Sequence, residues 1–366
     1  MEPISFARGV PAPECLPVEE LADCAKAALD RDGAAALSYG AGGGYGPLRR
    51  WVAEQHRVEP ERVVLANGSL QAFVFVATQL LAGGRRRVAV EAPTYDRPLR
   101  ILARLGAEIV AIPQDGEGLD VDAFARALDE GQPPAFLYTI PTFQNPSGRT
   151  LSVDRRRRLV ELAREHELLV LEDDPYGLVR FEGEPLPTLF QLEGGERVAY
   201  SSSFSKTIAP GLRVGYLILP AGLAAEIEAA AVSTYISPGF LAQATVWEFV
   251  RRGNFEPNLG RVRGLLRTRR DAMLAALERE FGSETGWSRP EGGYFLWLDL
   301  PDGLAAADLL ERAVQHGVTF VKGSDFFPAG VGGERSARLA YSFASPAEIA
   351  EGIARLAELV PSPSTV

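Results

Sequence analysis

Cysteine and histidine are scarce in this chain, and their scarcity excludes several kinds of site. The 366 residues include two cysteines, Cys15 and Cys24, and three histidines. The cysteines lie close together without neighbours at metal-ligand spacing. We therefore expect neither a disulfide nor a metal site, and a reducing cytoplasm is the natural compartment. The histidines His56, His166 and His316 are scattered and fit no metal-binding or catalytic-triad pattern.

An excess of positive charge and long apolar runs are also missing. The formal net charge is -10 and the pI is about 5.1, which argues against nucleic acid as a partner. A basic run at residues 155–158 falls within a helical pattern and predicts a solvated helix face. No apolar run is long enough to span a membrane, and the first residues lack the regions of a signal peptide. We expect no membrane partner.

The chain lacks a nucleotide-binding glycine motif as well. The glycine run at residues 42–44 is not followed by the Gly-Lys-Ser/Thr of a P-loop and does not have Rossmann spacing. This pattern predicts a mobile loop before Tyr45.

The alternation of apolar segments and helical patterns predicts an α/β fold. From about residue 60 to 220 the pattern indicates a mostly parallel, seven-stranded sheet covered by helices on both faces. The predicted strands cover residues 62–65, 87–90, 108–112, 135–138, 168–171, 197–200 and 214–219.

A second, smaller α+β unit is predicted after this region. Long helical patterns end near residue 281, and short strands and helices follow from Trp287 onwards. A helix at about residues 18–30 is expected to pack onto this unit. We predict a large domain over residues 37–267, a small domain over residues 1–36 and 268–366, and a loose tail from Pro361 to Val366.

The segment from Ser201 to Arg213 carries the strongest chemical signal. It places Ser203 and Ser205 beside Lys206, with Arg213 seven residues further on. Hydroxyl and guanidinium groups suit a phosphate, and a lysine beside a phosphate anchor can bond a carbonyl cofactor. This combination is typical of a pyridoxal 5'-phosphate (PLP) site. Taken alone, the segment would favour a solvated loop, but four further segments match the same chemistry.

Two of these segments follow predicted strands early in the sheet, where ligands of α/β proteins gather. In residues 67–71, backbone N–H groups and Ser69 can hold an anion at a helix N-terminus, although an ordinary glycine turn with an N-cap fits equally well. Tyr95 follows the next strand and can stack on a flat ring, or can merely pack.

The other two segments and one arginine complete the pattern. Residues 141–148 hold Asn145 between rigid turn residues, where it can donate to a phenolate oxygen or belong to a plain turn. Asp173 ends a strand and can pair with a protonated pyridine nitrogen, or can be only solvated. Arg338 lies in the small unit and can bind a carboxylate bidentately, or can form a surface ion pair.

With these segments in this order, the chain resembles the fold-type I PLP enzymes of the class I/II aminotransferase superfamily. It is most similar to the 2-aminoadipate, kynurenine and multi-substrate aminotransferase group. The resemblance starts at residues 6–13, includes residues 44–49 and 290–297, and reaches the C-terminal helix. It implies ping-pong transfer of an amino group from an L-α-amino acid to a 2-oxo acid, with 2-oxoglutarate as the expected acceptor. It also implies a homodimer with shared active sites.

The resemblance implies a role for each candidate residue. Lys206 would bond the cofactor and later move a proton, Asp173 would pair with the pyridine nitrogen, and Tyr95 would stack on the ring. The other cofactor contacts would be the ring-oxygen donors Asn145 and Tyr176, the phosphate ligands Ser69, Leu70, Ser203, Ser205 and Arg213, and Tyr39 of the other subunit. The substrate would contact Arg338, Asn145, Arg8 and Gly9.

Three departures from the family pattern concern the substrate. The arm before Phe6 is shorter than usual, Arg8 replaces the first of two glycines, and Lys322 replaces a small residue or proline. Arg8 would suit an acidic substrate side chain or would point outward. These departures leave open a PLP enzyme of another reaction class: a lyase, decarboxylase, cyclase or carbon–carbon bond-forming enzyme. The acidic charge disfavours a third possibility, a DNA-binding regulator on the same fold.

Overall fold

The computed structural model describes residues 3–360. The predicted tail Pro361–Val366 and residues 1–2 lie outside this range. The helices are α1 (Val18–Ala36), α2 (Gly46–His56), α3 (Ser69–Ala82), α4 (Asp96–Arg104), α5 (Val121–Glu130), α6 (Val153–Glu165), α7 (Leu189–Glu193), α8 (Ala221–Tyr235), α9 (Phe240–Arg251), α10 (Phe255–Glu280), α11 (Ala306–Gln315) and α12 (Pro346–Ala357). The strands are β1 (Ile4–Ser5), β2 (Val63–Ala66), β3 (Arg87–Ala92), β4 (Glu108–Asp115), β5 (Gly118–Leu119), β6 (Phe136–Thr139), β7 (Leu169–Asp173), β8 (Val198–Ser203), β9 (Gly215–Ile218), β10 (Gly286–Trp287), β11 (Phe295–Asp299), β12 (Val318–Thr319), β13 (Val321–Lys322) and β14 (Ser336–Ala340).

The central sheet contains all seven predicted strands. Its strand order is β2-β9-β8-β7-β6-β3-β4-β5. Strands β8, β7, β6, β3 and β4 run parallel, and β9 pairs antiparallel with both β2 and β8. The eighth strand, β5, is a two-residue hairpin partner of β4 that the sequence pattern did not reveal. The predicted α/β class with a mostly parallel sheet is confirmed.

The inner strands of the sheet are buried on both faces, as their near-continuous apolar sequences predict, whereas β4 near the edge is largely exposed. Every residue of β2, β6, β8 and β9 is buried. Successive residues point to opposite faces, so Leu137 and Val170 join one apolar core while Phe136 and Leu171 join the other. Because β8, β7, β6, β3 and β4 run parallel, their carboxyl ends lie together at one edge of the sheet.

A four-stranded antiparallel sheet, ordered β10-β11-β14-β13, forms the smaller unit. The N-terminal segment divides between the two parts of the molecule. Strand β1 pairs with β12, whereas α1 packs against α9 rather than onto the small sheet as expected. The proposed domain boundaries at residues 36/37 and 267/268 stay predictions, the second of them within α10.

The glycine run at residues 42–44 is tied to its surroundings, contrary to the expected mobile loop. The carbonyl of Gly43 accepts a hydrogen bond from the N–H of Leu65, at 3.0 Å, and both Gly43 and Gly44 are buried. The following N–H, of Tyr45, donates to Oε1 of Gln243 at 2.7 Å. The run therefore joins strand β2 to α9 and leads directly into α2.

Candidate active site

A cavity of about 330 Å³ lies at the carboxyl edge of the central sheet. Ten of the predicted cofactor-binding residues line it, although they come from well-separated segments of the chain. They are Ser69, Leu70, Tyr95, Asn145, Asp173, Tyr176, Ser203, Ser205, Lys206 and Arg213. The predicted substrate residues Gly9 and Arg338 line the same cavity.

The amino end of α3 forms the base of an anion cradle. Gly68 precedes the helix, and no side chain caps the first N–H groups of Ser69 and Leu70. Uncapped N–H groups at a helix N-terminus attract a negative charge. Beside them, the hydroxyl of Ser203 donates to Oγ of Ser205 at 2.9 Å, and the Nη1 atom of Arg213 lies 3.5 Å from the same oxygen.

Two glycines permit this close approach of backbone and guanidinium. Gly68 has φ = 95°, and a Cβ atom there would clash with Nη2 of Arg213. A Cβ atom at Gly215, on β9, would lie 2.6 Å from the amide nitrogen of Ser69. Any larger residue would therefore displace the helix end or the arginine.

Lys206 directs its amine into the cavity from the turn after β8. Its Nζ donates to the carbonyl of Gly9 at 2.7 Å and lies 5.0 Å from the ring centre of Tyr294. Burial, with help from the positive charges of Arg338 and Arg213, lowers the pKa of Lys206 to about 8. The amine is consequently easier to deprotonate than that of an exposed lysine.

Asp173 presents a buried carboxylate at the end of β7. Its Oδ2 accepts a hydrogen bond from the hydroxyl of Tyr138 at 2.8 Å. Its Oδ1 is buried and makes no hydrogen bond of ordinary geometry with the described residues, although the Ser201 hydroxyl, itself unpartnered, is near enough to lower the pKa of Asp173. Burial raises the pKa of Asp173 to about 6. Because orphaned buried acceptors are uncommon, this oxygen is a strong candidate to face a bound donor or cation.

The three successive acidic residues Glu172, Asp173 and Asp174 make different contacts because of the strand geometry. Glu172 and Asp174 point away from Asp173, as the two-residue period of a strand requires. Glu172 accepts the N–H groups of Leu189 and Phe190 at the start of α7. Asp174 accepts the Tyr200 hydroxyl at 2.9 Å. Asp173 is therefore the acid available to a ligand.

The loop that carries Asn145 is held by a buried carboxylate. Glu91, on β3, accepts hydrogen bonds from the Thr139 hydroxyl at 2.7 Å and from the N–H of Ile140 at 3.1 Å. It also accepts from Nε2 of Gln144 at 3.1 Å. The sequence pattern did not single out Glu91, because its partners lie about fifty residues away.

A buried arginine holds the same loop from the other side. Arg156 donates to the carbonyls of Pro141, Leu151 and Pro187 and to the Thr142 hydroxyl, at 2.8 to 3.1 Å. Its neighbours in the basic run are more exposed. The expected solvated face thus applies to the rest of the run and not to Arg156, since α6 turns this one residue toward the loop.

Arg338 forms the opposite wall of the cavity. Its guanidinium lies between the rings of Phe295 and Phe326, with Cζ 4.3 and 4.9 Å from their centres. One nitrogen donates to Oδ1 of Asn145 at 3.0 Å and another to the carbonyl of Ala7 at 2.8 Å. Burial lowers the pKa of Arg338 to about 10, so it remains a cation at neutral pH.

Two predicted residues, Tyr39 and Arg8, do not line this cavity, and neither does Lys322, one of the departures from the family pattern. Tyr39 is 81% exposed. The guanidinium of Arg8 lies over the ring of Phe343, at 5.0 Å. Lys322 forms an ion pair with Asp325 at 3.3 Å. The roles of Tyr39 and Arg8 therefore stay predictions.

The residues of the cavity fit PLP. The cradle of helix N–H groups, hydroxyls and Arg213 suits a phosphate, and the amine of Lys206 suits an aldehyde. The orphaned oxygen of Asp173 suits a protonated ring nitrogen, which would satisfy it. The half-buried ring of Tyr95 and the side chain of Ile140 provide walls for a flat ring.

Comparison with known proteins identifies the family. A profile described as aminotransferase class I and II matches residues 14–356. The chain belongs to this family and is a PLP-dependent aminotransferase by class. The predicted superfamily and enzyme class are confirmed.

Individual relatives agree along nearly the whole chain. The 2-aminoadipate transaminase of Thermus thermophilus is 41% identical over 96% of this chain and 89% of that protein. Aromatic-amino-acid aminotransferase 1 of Thermococcus litoralis is 36% identical over 98% and 88%. The solved structure of an alpha-aminoadipate aminotransferase of Thermus thermophilus, complexed with N-(5'-phosphopyridoxyl)-L-leucine, superposes with a TM-score of 0.93. That pair is 39% identical and covers 98% of this chain and 92% of the other.

No helix within residues 3–360 combines the length and the apolar character that crossing a bilayer requires.

Proposed function

We propose that this enzyme binds PLP through Lys206 and transfers the amino group of an L-α-amino acid to a 2-oxo acid, with 2-oxoglutarate among its acceptors. The observation that carries the proposal is the convergence of phosphate cradle, amine and orphaned carboxylate in one cavity. When bound, PLP would supply a protonated ring that withdraws electrons from the substrate Cα.

The side chains around the ring would prepare that chemistry. Asp173, paired with a protonated ring nitrogen, would stay ionised, because an opposite charge offsets the cost of its burial. The amine of Lys206, with its pKa lowered to about 8, would accept the Cα proton and return it. Arg338 would hold the α-carboxylate through a planar fork of donors.

The reaction would proceed in two half-reactions at the same cavity. The first would release a 2-oxo acid and leave the amino group on the enzyme, and the second would pass it to the acceptor acid. Relatives named for 2-aminoadipate and aromatic amino acids support amino acids as the donor class.

We propose further that the enzyme is a cytoplasmic homodimer in which Tyr39 reaches the cavity of the partner subunit. The side chains of Leu37 and Tyr39 are exposed, and so are those of Val232 and Ile236 at the end of α8. The N–H of Gly40 donates to the Ser237 hydroxyl at 3.2 Å, which brings the two segments together. Clustered exposed apolar side chains are typical of an interface between subunits.

Covalent labelling tests the cofactor site directly. The purified protein would be mixed with PLP, reduced with borohydride and mapped by peptide mass spectrometry. The chain has three lysines, Lys26, Lys206 and Lys322, so the labelled residue is identified without ambiguity. We expect a phosphopyridoxyl group on Lys206. Label confined to the other two lysines would contradict the assignment.

A single-turnover experiment tests the reaction class. The PLP-loaded enzyme would be mixed with one L-amino acid at a time, with no acceptor present. We expect one equivalent of the matching 2-oxo acid and conversion of the cofactor to its pyridoxamine form. Ammonia, carbon dioxide or a coupled product in place of the oxo acid would indicate another PLP reaction class.

A further inference from the structure

One cation on the cavity wall has no role in the proposed function. Among the described residues, the cations that line the cavity are Lys206, Arg213, Arg338 and Arg97. The first three would serve the aldehyde, the phosphate and the α-carboxylate. Arg97 lies in the first turn of α4, two residues after Tyr95. Since none of these groups needs it, Arg97 is available to contact another part of the substrate.

The guanidinium of Arg97 is free to turn toward a ligand. Its side chain is 54% exposed, and its Nε lies 3.8 Å from Oδ2 of Asp96, beyond hydrogen-bond distance. The same oxygen of Asp96 is 3.2 Å from Nη2 of Arg100, outside the cavity wall. Asp96 therefore keeps an ionic partner when Arg97 moves, and giving up a long, exposed pair costs little.

The fold fixes the segment that carries Arg97 relative to Arg338. The N–H of Thr94 donates to the carbonyl of Phe326 at 2.9 Å. The ring of Phe326 in turn packs on the guanidinium of Arg338, 4.9 Å from its Cζ. A substrate held by its α-carboxylate at Arg338 therefore lies in the same cavity as the segment that carries a second cation.

We propose that Arg97 binds a distal carboxylate of the substrate and that dicarboxylic amino acids, with their 2-oxo acids, are the preferred substrate class. The inference rests on the proposed function. It assigns the acidic side chain of the substrate to Arg97 and not to Arg8, because the guanidinium of Arg8 packs on Phe343 outside the cavity lining. A planar guanidinium binds a carboxylate with two parallel hydrogen bonds and discriminates against a neutral amide.

Ligand binding to the PLP-loaded enzyme tests the proposal without catalysis. Calorimetry would compare glutarate, a dicarboxylate, with valerate, a monocarboxylate of the same chain length. We expect Arg97→Gln to weaken glutarate binding about tenfold to a hundredfold, the range for a charged hydrogen-bonded contact, and to leave valerate binding unchanged. The matched control is Arg100→Gln, which removes the other partner of Asp96 and should change glutarate binding less than about threefold.

Kinetics with isosteric amino acids provides the second readout. We expect the kcat/KM ratio of L-glutamate to L-glutamine to fall at least about tenfold in Arg97→Gln and to stay constant in Arg100→Gln. An equal loss for both amino acids, an unchanged ratio, or the same loss in the control would overturn the proposal. If the unsubstituted enzyme converts no amino acid, the proposed function fails. The glutarate titration then decides the role of Arg97 alone.

Discussion

Replacing Lys206 by methionine should stabilise the cofactor-free protein at neutral pH. Burial lowers the pKa of Lys206 from 10.5 to about 8, and one pKa unit corresponds to about 1.4 kcal/mol. The folded state therefore holds this cation at a cost of about 3 kcal/mol. Loss of the hydrogen bond to the carbonyl of Gly9 offsets about 1 kcal/mol, so we expect a net gain of about 2 kcal/mol in the free energy of unfolding.

The gain should depend on pH in a defined direction. The folded-state pKa of Lys206 lies below the unfolded value, so the cost is fully present below pH 8. As pH rises from about 8 to 10.5, the folded protein loses its proton while the unfolded chain keeps it, and the cost disappears. The advantage of Lys206→Met over the parent protein should shrink through this window.

Urea unfolding of the cofactor-free proteins at about pH 7 and about pH 9.5, at one protein concentration, measures both effects. The control Lys322→Met alters a lysine that is 39% exposed and paired with Asp325, and should change stability by less than about 0.5 kcal/mol at either pH. A Lys206→Met protein that is less stable than its parent at the lower pH, or whose advantage does not diminish at the higher pH, would refute the reasoning.

Two further predictions concern the acid and the buried arginine. Asp173→Asn should retain a folded structure, because the Tyr138 hydroxyl can still donate to the amide oxygen. The rate of amino-acid conversion should nevertheless fall at least about a hundredfold. Single-turnover absorbance measures this rate, and an unchanged rate would contradict the assigned ion pair. Arg156→Met leaves several buried carbonyl groups without donors and should lower the free energy of unfolding by about 3 kcal/mol or more. The control Arg157→Met, at a side chain that is 63% exposed, should leave the free energy of unfolding nearly unchanged. Denaturant unfolding compares the two variants, and equal losses would show that the buried contacts are not the cause.

The residues that bear the chemistry were predictable because each follows a recognisable apolar strand. Parallel strands end at one edge of a sheet, so Tyr95, Asn145, Asp173 and Lys206 had to meet once the seven strands were placed. The central sheet could be predicted for the same reason. Helix α2 and the ordered state of the glycine run could not be predicted, because their stability comes from contacts with strand β2 and helix α9 and not from a local pattern.

The supporting residues could not be predicted, because their partners depend on strand register. Tyr138 reaches Asp173 because β6 and β7 pair with Tyr138 opposite Leu171. Arg156 looked like its exposed neighbours in sequence, and only the packing of α6 against the loop of Asn145 distinguishes it. The sequence pattern did not single out Arg97, because an arginine in the first turn of a helix is usually solvated.

The charges of the cavity explain why the site should bind its cofactor tightly. Lys206 is a buried cation with a lowered pKa, and Asp173 is a buried acid with a raised pKa, so each resists its charged form. A phosphate beside Arg213, a cationic nitrogen beside Asp173 and a covalent bond to Lys206 would offset these costs together. Binding to the folded state alone stabilises a protein in proportion to the logarithm of ligand affinity. The cost of burying these charges is therefore relieved on binding, and the same arrangement that weakens the cofactor-free protein favours the loaded one.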